Sequence, residues 1–210
     1  YLYKYPQCAF PYARLVAENG RRTRRDPEFE LADTGAFDGN RYFDVFVEYA
    51  KATPNDVLML VTAHNRGPEP APLDLLLQVW FRNTWSWTPG ATRPRLWRRG
   101  DGVILAEHER LKTYHAAADT GVDTYFCDND TNPCRFPGAA DATGSGSGTG
   151  YFKDGFHNFL VHGDSHAINP ARVGTKAAFH YRRQIPAGGS ESVRLPLSRK
   201  DHPRPLDDFD

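Results

Sequence analysis

The chain has 210 residues, of which 26 are basic and 26 acidic, so its formal net charge is zero. A balanced charge creates no global field that would attract nucleic acid or an anionic membrane surface. No apolar run approaches the ~20 residues that a membrane-spanning helix needs. Hydrophobic residues make up 40% of the sequence, enough for the core of one large domain. We therefore expect a single domain over residues 1–210 that binds neither nucleic acid nor membrane.

The three cysteines, Cys8, Cys127 and Cys134, are too few for a disulfide framework. Cys127 and Cys134 flank a short polar segment and could form a disulfide, whereas a reducing compartment would leave both thiols free. The sequence leaves both alternatives open, and we expect a cytoplasmic location.

In the first half of the chain, one short helix and three strands are predicted. Residues 13–19 could form a helix that ends at Gly20, and the polar residues after it are typical of a loop. Residues 41–51 and 57–63 alternate apolar side chains around a short turn, which predicts a β-hairpin. A turn rich in glycine and proline leads into a third strand, residues 73–81. We expect these three strands to form an antiparallel meander.

The strand that begins at Leu73 is apolar on both faces. Leu73, Leu75 and Leu77 fall on one face because alternate residues of a strand point the same way, and Leu76 and Trp80 fall on the other. This pattern favours a strand in the middle of a sheet, with side chains packed over much of each face.

The second half of the chain contains further strand candidates and a long irregular segment. Residues 89–102 are predicted as a loop, and residues 176–185 and 192–197 flank a turn and predict a second hairpin. Residues 128–150 end in a glycine- and serine-rich run, which predicts a flexible loop. The remaining strands are expected at residues 103–109, 111–117 and 124–127. Short strands separated by turns are typical of an all-β fold, an antiparallel β-sandwich with a minor helix and long loops.

The segment after the Leu73 strand carries side chains that suit sugar recognition. Arg82, Trp85 and Trp87 lie within six residues. An indole face can stack on a sugar ring, and a guanidinium can donate hydrogen bonds to it. The same residues could equally form a covered domain interface or the edge of a core.

An acidic segment matches a metal site only in part. Asp128, Asp130 and Asn132 begin like a calcium-binding loop, but Pro133 replaces the glycine that such a loop needs and Ala139 replaces its final glutamate. We therefore predict no calcium site.

Histidines also cluster near the end of the chain, without a recognised zinc-ligand spacing. They are His157, His162 and His166, with Asp164 between them. No phosphate-binding or dinucleotide-binding fingerprint occurs either. We predict neither a metal nor a cofactor.

Hydrolysis of a glycosidic bond requires two carboxyl groups about 5–10 Å apart. Glu107 and Glu109 lie on one face of a predicted strand, and Asp33, Asp38 and Asp44 are scattered earlier in the chain. Nothing in the sequence marks any two of them as a pair, so no catalytic residue is predicted.

Six segments are distinctive when taken together, in chain order: KYPQCAFPY, DPEFELADTGAFD, RYFDVFVEYAK, HNRGPEPAPLDLLLQVWFRNTWSW, FKDGFHNFLVHG and NPARVGTKAA. They resemble a bacterial group of glycoside hydrolases related to glycoside hydrolase family 63, the family of mannosyl-oligosaccharide glucosidase. The resemblance runs over almost the whole chain. The glycine- and serine-rich run is longer than the resemblance leads us to expect.

The resemblance implies an N-terminal β-sandwich of the supersandwich type that packs against an (α/α)6 barrel. In the parent enzyme the barrel supplies the acid and the base that hydrolyse α-glucosidic bonds with inversion. Because this chain matches only the sandwich, no catalytic residue can be carried onto it, and we expect the chain alone to be inactive. The implied partners are the barrel and, through the parent enzyme, an oligosaccharide substrate.

Under this hypothesis Arg82, Trp85, Trp87, His157 and His162 are candidates for the domain interface or the rim of the substrate cleft. One alternative is a stand-alone carbohydrate-binding module, which requires exposed aromatic faces. Another is a structural interaction domain without sugar contact. A large exposed apolar patch would favour a missing partner surface over a self-sufficient module.

Overall fold

The computed structural model describes residues 1–135 and 150–201, and strands dominate these residues. They form two antiparallel sheets, of eight and three strands, which confirms the predicted all-β, sandwich-like fold with few helices and long loops. The strands are β1 (Leu2–Pro6), β2 (Tyr42–Thr53), β3 (Asp56–Asn65), β4 (Ala71–Trp80), β5 (Arg95–Gly100), β6 (Val103–His108), β7 (Lys112–Ala117), β8 (Asp123–Cys127), β9 (Val173–Gly174), β10 (Lys176–Ile185) and β11 (Ser190–Ser198). The α-helices are α1 (Tyr12–Arg21) and α2 (Gly155–His162).

The strand order of the larger sheet is β1-β2-β3-β11-β7-β6-β5-β9, and that of the smaller sheet is β4-β10-β8. The register places Lys4 opposite Asp44 where β1 meets β2. It places Leu96 opposite Gly174 where β5 meets β9. The predicted hairpin of β2 and β3 is confirmed, since the two strands are neighbours in the larger sheet.

The predicted meander is wrong at its third strand. β4 belongs to the three-stranded sheet and not to the sheet of β2 and β3. It forms an edge of that sheet, so its predicted position in the middle of a sheet is also wrong. The turn before it is held by Asn65, whose side-chain amide donates to the carbonyl oxygens of Glu69 (2.8 Å) and Ile185 (2.9 Å). The buried face of β4 carries Leu73, Leu75 and Leu77, as the alternation predicts.

The second predicted hairpin is also wrong as a pairing, although its turn and both strands are present. β10 lies in the three-stranded sheet and β11 in the eight-stranded sheet, so the turn carries the chain from one sheet to the other. A turn sequence fixes a reversal of direction, whereas the sheet that a strand joins depends on distant residues.

Strand β5 and helix α2 are among the elements that the sequence pattern does not predict. β5 falls inside the predicted loop of residues 89–102, where Leu96 is fully buried. α2 is too short to show a helical repeat, and it is stabilised by packing on a cluster around Tyr125 and Cys127. Helix α1 is present as predicted but continues past Gly20 to Arg21.

The chain falls into two compact units, each with its own buried residues. The first comprises Tyr1–Tyr49, Met59–Asp74 and Arg182–Val193, and the second holds the rest of the described residues. Buried side chains of the first unit include Phe43, Val45, Val61, Ala63, Ile185 and Val193. Those of the second include Leu96, Ile104, Ala116, Phe126, Phe179 and Tyr181. The prediction of one domain over residues 1–210 stays a prediction.

Most of the predicted flexible loop, residues 128–150, falls on residues 136–149, outside the described residues. No helix in the described part of the chain is long and apolar enough to cross a membrane. The three cysteines all belong to the described residues and are free, with Cys127 buried and the other two exposed.

Candidate functional site

The arginine and tryptophan side chains after β4 form two stacked pairs. The Arg82 guanidinium lies over the Trp87 ring, 5.1 Å from its centroid. Arg93 lies over the Trp85 ring at 5.5 Å. Trp87 is 64% exposed and Trp85 is half-buried. The exposed indole therefore already carries one cation on its face, and its remaining surface is open to a ligand or a partner.

A network of hydrogen bonds and ion pairs holds the segment after β4 in place. The Asn83 side-chain amide donates to a carboxylate oxygen of Asp130. Arg93 contacts the same carboxylate at 2.6 Å and that of Asp128 at 3.0 Å. The Asn129 side chain donates to the carbonyl oxygen of Phe81 at 2.8 Å. These contacts hold the Trp85–Trp87 turn in one position, as a preorganised binding surface requires.

The segment that resembles a calcium loop has a structural role instead. Asp128 accepts hydrogen bonds from the backbone N–H (3.1 Å) and the hydroxyl (3.3 Å) of Thr175, which precedes β10. Asn132 donates to Asp154 at 3.1 Å. The acidic residues thus tie the loop after β8 to β10 and to the start of α2. In the described part of the chain, no group of three or more histidine, cysteine or acidic residues could hold a metal ion.

Asp154, the residue before α2, is held ionised by its neighbours. Burial alone would raise the pKa of this carboxyl, but hydrogen bonds from Arg135 (2.8 Å) and Asn132 outweigh burial, so the pKa falls below its usual value. The helix dipole also stabilises a carboxylate at the N-terminus of a helix. The result is a stable start for α2, which carries two of the candidate residues.

His157 and His162 lie on α2 and contact each other. Their ring centroids are 5.1 Å apart in an edge-to-face arrangement, and both residues are exposed. Among the described residues, no hydrogen bond or ring contact joins them to Arg82, Trp85 or Trp87. The structure therefore brings the predicted residues together in two separate groups rather than in one.

Beside Arg93 lies a half-open cavity of about 430 Å³, whose lining includes Arg95, Glu107, Glu109 and Lys112. Its size is within the range of about 300–1,000 Å³ that small-molecule sites occupy. The stacked rings of Phe81 and His108, 5.5 Å apart, connect β6 to the end of β4. Both glutamates are exposed, and nothing distinguishes them as a catalytic pair.

Two of the three earlier carboxylates have structural partners. Asp33 accepts a hydrogen bond from the backbone N–H of Glu30 at 2.8 Å and caps a short turn. Asp44 is buried and forms ion pairs with Lys4 and Arg66. These contacts assign structural roles to both residues.

Sequence reasoning included the Asn83 amide among the side chains that suit a sugar, but it missed Arg93 and Asp130 as parts of the site. Asp130 is 47 residues from Asn83 and 37 from Arg93. Arg93 lies in a segment without periodicity, and Asp130 was considered only as a calcium ligand. No local signal links these positions, because they meet only in the folded chain.

No family model matches the chain. It is 32% identical over 229 aligned residues to a protein of Saccharomyces cerevisiae that carries the name "Uncharacterized protein YMR196W". The alignment covers 92% of this chain and 21% of the yeast protein. The chain thus spans about a fifth of the length of that relative.

Proposed function

We propose that this chain is a non-catalytic β-sandwich domain of a larger glycoside hydrolase, an inverting α-glucosidase related to family 63. Its role is to pack on the catalytic (α/α)6 barrel and to shape the rim of the substrate cleft. The resemblance of the six sequence segments supports the enzyme family. The docking role is supported by a row of exposed tyrosines in the first unit.

The tyrosine row comprises Tyr1, Tyr3 and Tyr5, at alternate positions on and next to the edge strand β1. Tyr3 and Tyr5 lie opposite Val45 and Phe43 of β2. Those two β2 side chains are buried, whereas Tyr1, Tyr3 and Tyr5 are 91%, 55% and 42% exposed. The apolar face of β2 therefore continues onto β1 without a covering layer.

Neighbouring aromatic side chains extend this surface. The ring centroids of Tyr3 and Tyr5 are 6.1 Å apart, and those of Tyr1 and Tyr49 are 6.3 Å apart. Tyrosine is enriched at protein interfaces because its ring is apolar and its hydroxyl can find a partner. An edge strand with uncovered aromatic side chains also promotes aggregation unless another element covers it.

We assign the remainder of a longer polypeptide as the partner that covers this row. The yeast relative supports that choice, because about four fifths of its length lies outside the aligned region. Arg82, Trp85 and Trp87, with the cavity beside Arg93, then contribute to the rim of the cleft. His157 and His162 are proposed as a second contact to the barrel. A cytoplasmic location is part of the same proposal.

Expression of this chain and of its full parent reading frame tests the proposed function. We expect the parent to hydrolyse α-glucosides with inversion of the anomeric configuration, which proton NMR of the released sugar measures. The chain alone should release none, because catalysis needs two positioned carboxyl groups and a water. Hydrolysis by the chain alone, or a parent that leaves α-glucosides intact, would contradict the proposal.

The exposure of Trp80 (55%) and Trp87 favours a second candidate function, a self-sufficient carbohydrate-binding module. Two exposed indoles near the end of one strand can present stacking faces to a sugar. Titration of the chain with maltose-series oligosaccharides distinguishes the two functions. Saturable binding that Trp87→Ala abolishes would support the module, whereas a docking domain would bind no sugar through this residue.

A further inference from the structure

A cavity of about 410 Å³ opens beside the loop between α2 and β9, and the candidate residues do not line it. Its wall includes Arg98, Asp101, Asp123, Thr124 and Arg172. Val122, Ile168 and Pro170 supply an apolar part of the same wall. The two arginines and two aspartates cancel in charge, so the cavity as a whole is neutral and favours a neutral ligand over an anion or a cation.

Two of the four charged groups are already paired with each other. Asp101 accepts a hydrogen bond from the backbone N–H of Gly121 at 2.9 Å. It also contacts the Arg98 guanidinium at 3.3 Å, which in turn donates to the carbonyl oxygen of Gly100. Arg98 is therefore held rigidly in the wall. The Arg98 guanidinium keeps further N–H groups that can donate hydrogen bonds to a ligand.

Arg172 is positioned at a conformational cost, and its charge has no partner among the described residues. Its φ angle is +55°, in the left-handed region that side chains other than glycine rarely adopt. The Asn169 side chain enforces this turn, since it accepts from the Ala171 N–H (2.9 Å) and donates to the Val173 carbonyl oxygen (2.7 Å). Among the described residues, the Arg172 guanidinium makes no ion pair or hydrogen bond. Strained residues cluster at binding sites and active sites, and this one lines the cavity with a donor fork that is unpaired among the described residues.

The wall also offers a hydrogen-bond acceptor. Asp123 carries an exposed carboxylate at this wall.

We propose that this cavity is a non-catalytic binding site for a neutral sugar, such as the end of a short oligosaccharide. Arg172 donates to sugar hydroxyls, and Asp123 accepts from them. Val122, Ile168 and Pro170 face the C–H groups of the sugar. The site lies apart from the candidate cleft rim and does not depend on the identity of the parent enzyme.

Titration of the 210-residue chain with maltose, followed by amide NMR shifts, tests this site. We expect saturable shifts for residues of the cavity wall. Arg172→Gly should weaken binding by roughly tenfold or more, about the worth of one charge-assisted hydrogen bond. The glycine adopts the positive φ angle without strain, so the variant should fold at least as well as the natural chain.

Arg24→Gly serves as the matched control, because Arg24 is an exposed arginine outside the cavity wall. This control variant should bind maltose as the natural chain does. Binding to Trp87→Ala is measured in parallel, to detect sugar at the tryptophan surface.

Three outcomes would overturn the assignment. The first is no saturable binding up to the solubility limit of the sugar. The second is maltose binding that Arg172→Gly leaves unchanged. If Trp87→Ala then loses maltose binding, the sugar lies at the tryptophans. The third is tighter binding of inorganic phosphate or glycine than of maltose, which would make the ligand an anion or a zwitterion. An inactive parent enzyme would contradict the proposed function but would leave the cavity assignment intact.

Discussion

Asp44 is a buried carboxylate whose charge is retained because two cations contact it. The residue is 7% exposed, and its oxygens lie 2.7 Å from the Lys4 ammonium and 2.8 Å from the Arg66 guanidinium. Burial by itself would raise the pKa of Asp44. The hydrogen bonds from Lys4 and Arg66 outweigh burial, so the pKa lies below its ordinary value. These contacts tie β1, β2 and the turn after β3 together within the first unit.

We predict that Asp44→Asn lowers the free energy of unfolding by roughly 1–3 kcal/mol at neutral pH, as loss of charged hydrogen bonds typically does. The lowered folded-state pKa means that the stabilisation is fully present above the unfolded pKa of about 3.9 and is lost as pH falls through the folded pKa. The difference between the two proteins should therefore shrink below about pH 4. Urea unfolding across this pH range measures it.

Glu69→Gln is the matched control for this prediction. Glu69 pairs with Arg41, but both side chains are largely exposed. Exposed ion pairs contribute little to stability because water and salt screen them. A similar loss of stability in both variants, or a difference that persists at low pH, would contradict the assigned role of Asp44.

Cys127 is predicted to be chemically inert in the folded chain. The residue is 1% exposed, and burial raises the pKa of its thiol to about 12. Since the thiolate is the reactive species, almost none is present near pH 8. Cys8 and Cys134 are exposed and should react readily.

Alkylation with iodoacetamide followed by intact-mass measurement tests this directly. The native chain should gain two adducts quickly and the third only in urea, and peptide mapping should place the late adduct on Cys127. Fast modification of all three thiols would contradict the burial of Cys127. A disulfide between Cys127 and Cys134 would instead leave a single reactive thiol without reductant.

At the scale of elements, the attachment of β9 to the strands around it depends on a glycine. A Cβ atom at Gly174 would lie 2.2 Å from the carbonyl oxygen of Cys127 at the end of β8. The same carbonyl accepts the backbone N–H of Thr175 at 3.1 Å. Gly155 plays a similar part at the start of α2, where a Cβ would lie 2.3 Å from the Ala167 carbonyl oxygen. Both contacts involve backbone atoms that a rotamer change cannot move.

We predict that Gly174→Ala destabilises the chain by roughly 1–3 kcal/mol, because the added methyl group forces two backbone segments apart. The amide exchange of Asn129 and Thr175 should also accelerate, since both belong to the displaced segment. Gly100→Ala is the control, as nothing lies within 4 Å of a Cβ there. Equal stability of the natural chain and Gly174→Ala would contradict the close contact between Gly174 and the Cys127 carbonyl oxygen.

At the scale of the whole molecule, the proposed docking surface leads to a prediction about the parent protein. Tyr1→Ser combined with Tyr3→Ser removes two exposed rings of the tyrosine row. The melting temperature of the 210-residue chain should change little, because exposed side chains contribute little to its core. In the parent protein the same change should release the domain from its partner, giving earlier proteolytic cleavage and a separate calorimetric transition.

Val16→Ser is the control for this double variant, since Val16 is also an exposed apolar residue, 73% accessible, but lies on α1. It should leave proteolysis and calorimetry of the parent unchanged. A parent protein that behaves identically with and without the tyrosines would contradict docking through β1.

Most strand positions could be predicted from sequence alone. Alternation of apolar residues located β2, β3, β6, β7, β8 and β10 to within a few residues, because side-chain period is a local property. β5 and α2 were missed because each is short and stabilised mainly by residues distant in the chain. Leu96 is fully buried only once β5 lies between β6 and β9.

The candidate site was predicted less completely than the fold. Arg82 and Trp87 were recognised and do contact each other. Their supporting residue Arg93 was not recognised, and neither was the cavity at Arg172. Composition identifies side chains that can bind a sugar, but it cannot say which of them are already paired.

The amino-acid sequence by itself determined the all-β class, the positions of most strands and the chemistry available after β4. Only the tertiary structure decided that β4 and β10 leave their sequence neighbours for a separate sheet. It also decided that Asn83 meets Asp130 and that Arg172 lines a cavity without an ion-pair partner in the part of the chain that the structure describes. The physical reason is range: strand period and turn geometry act over a few residues, whereas sheet partnership and charge pairing depend on residues far apart in the chain.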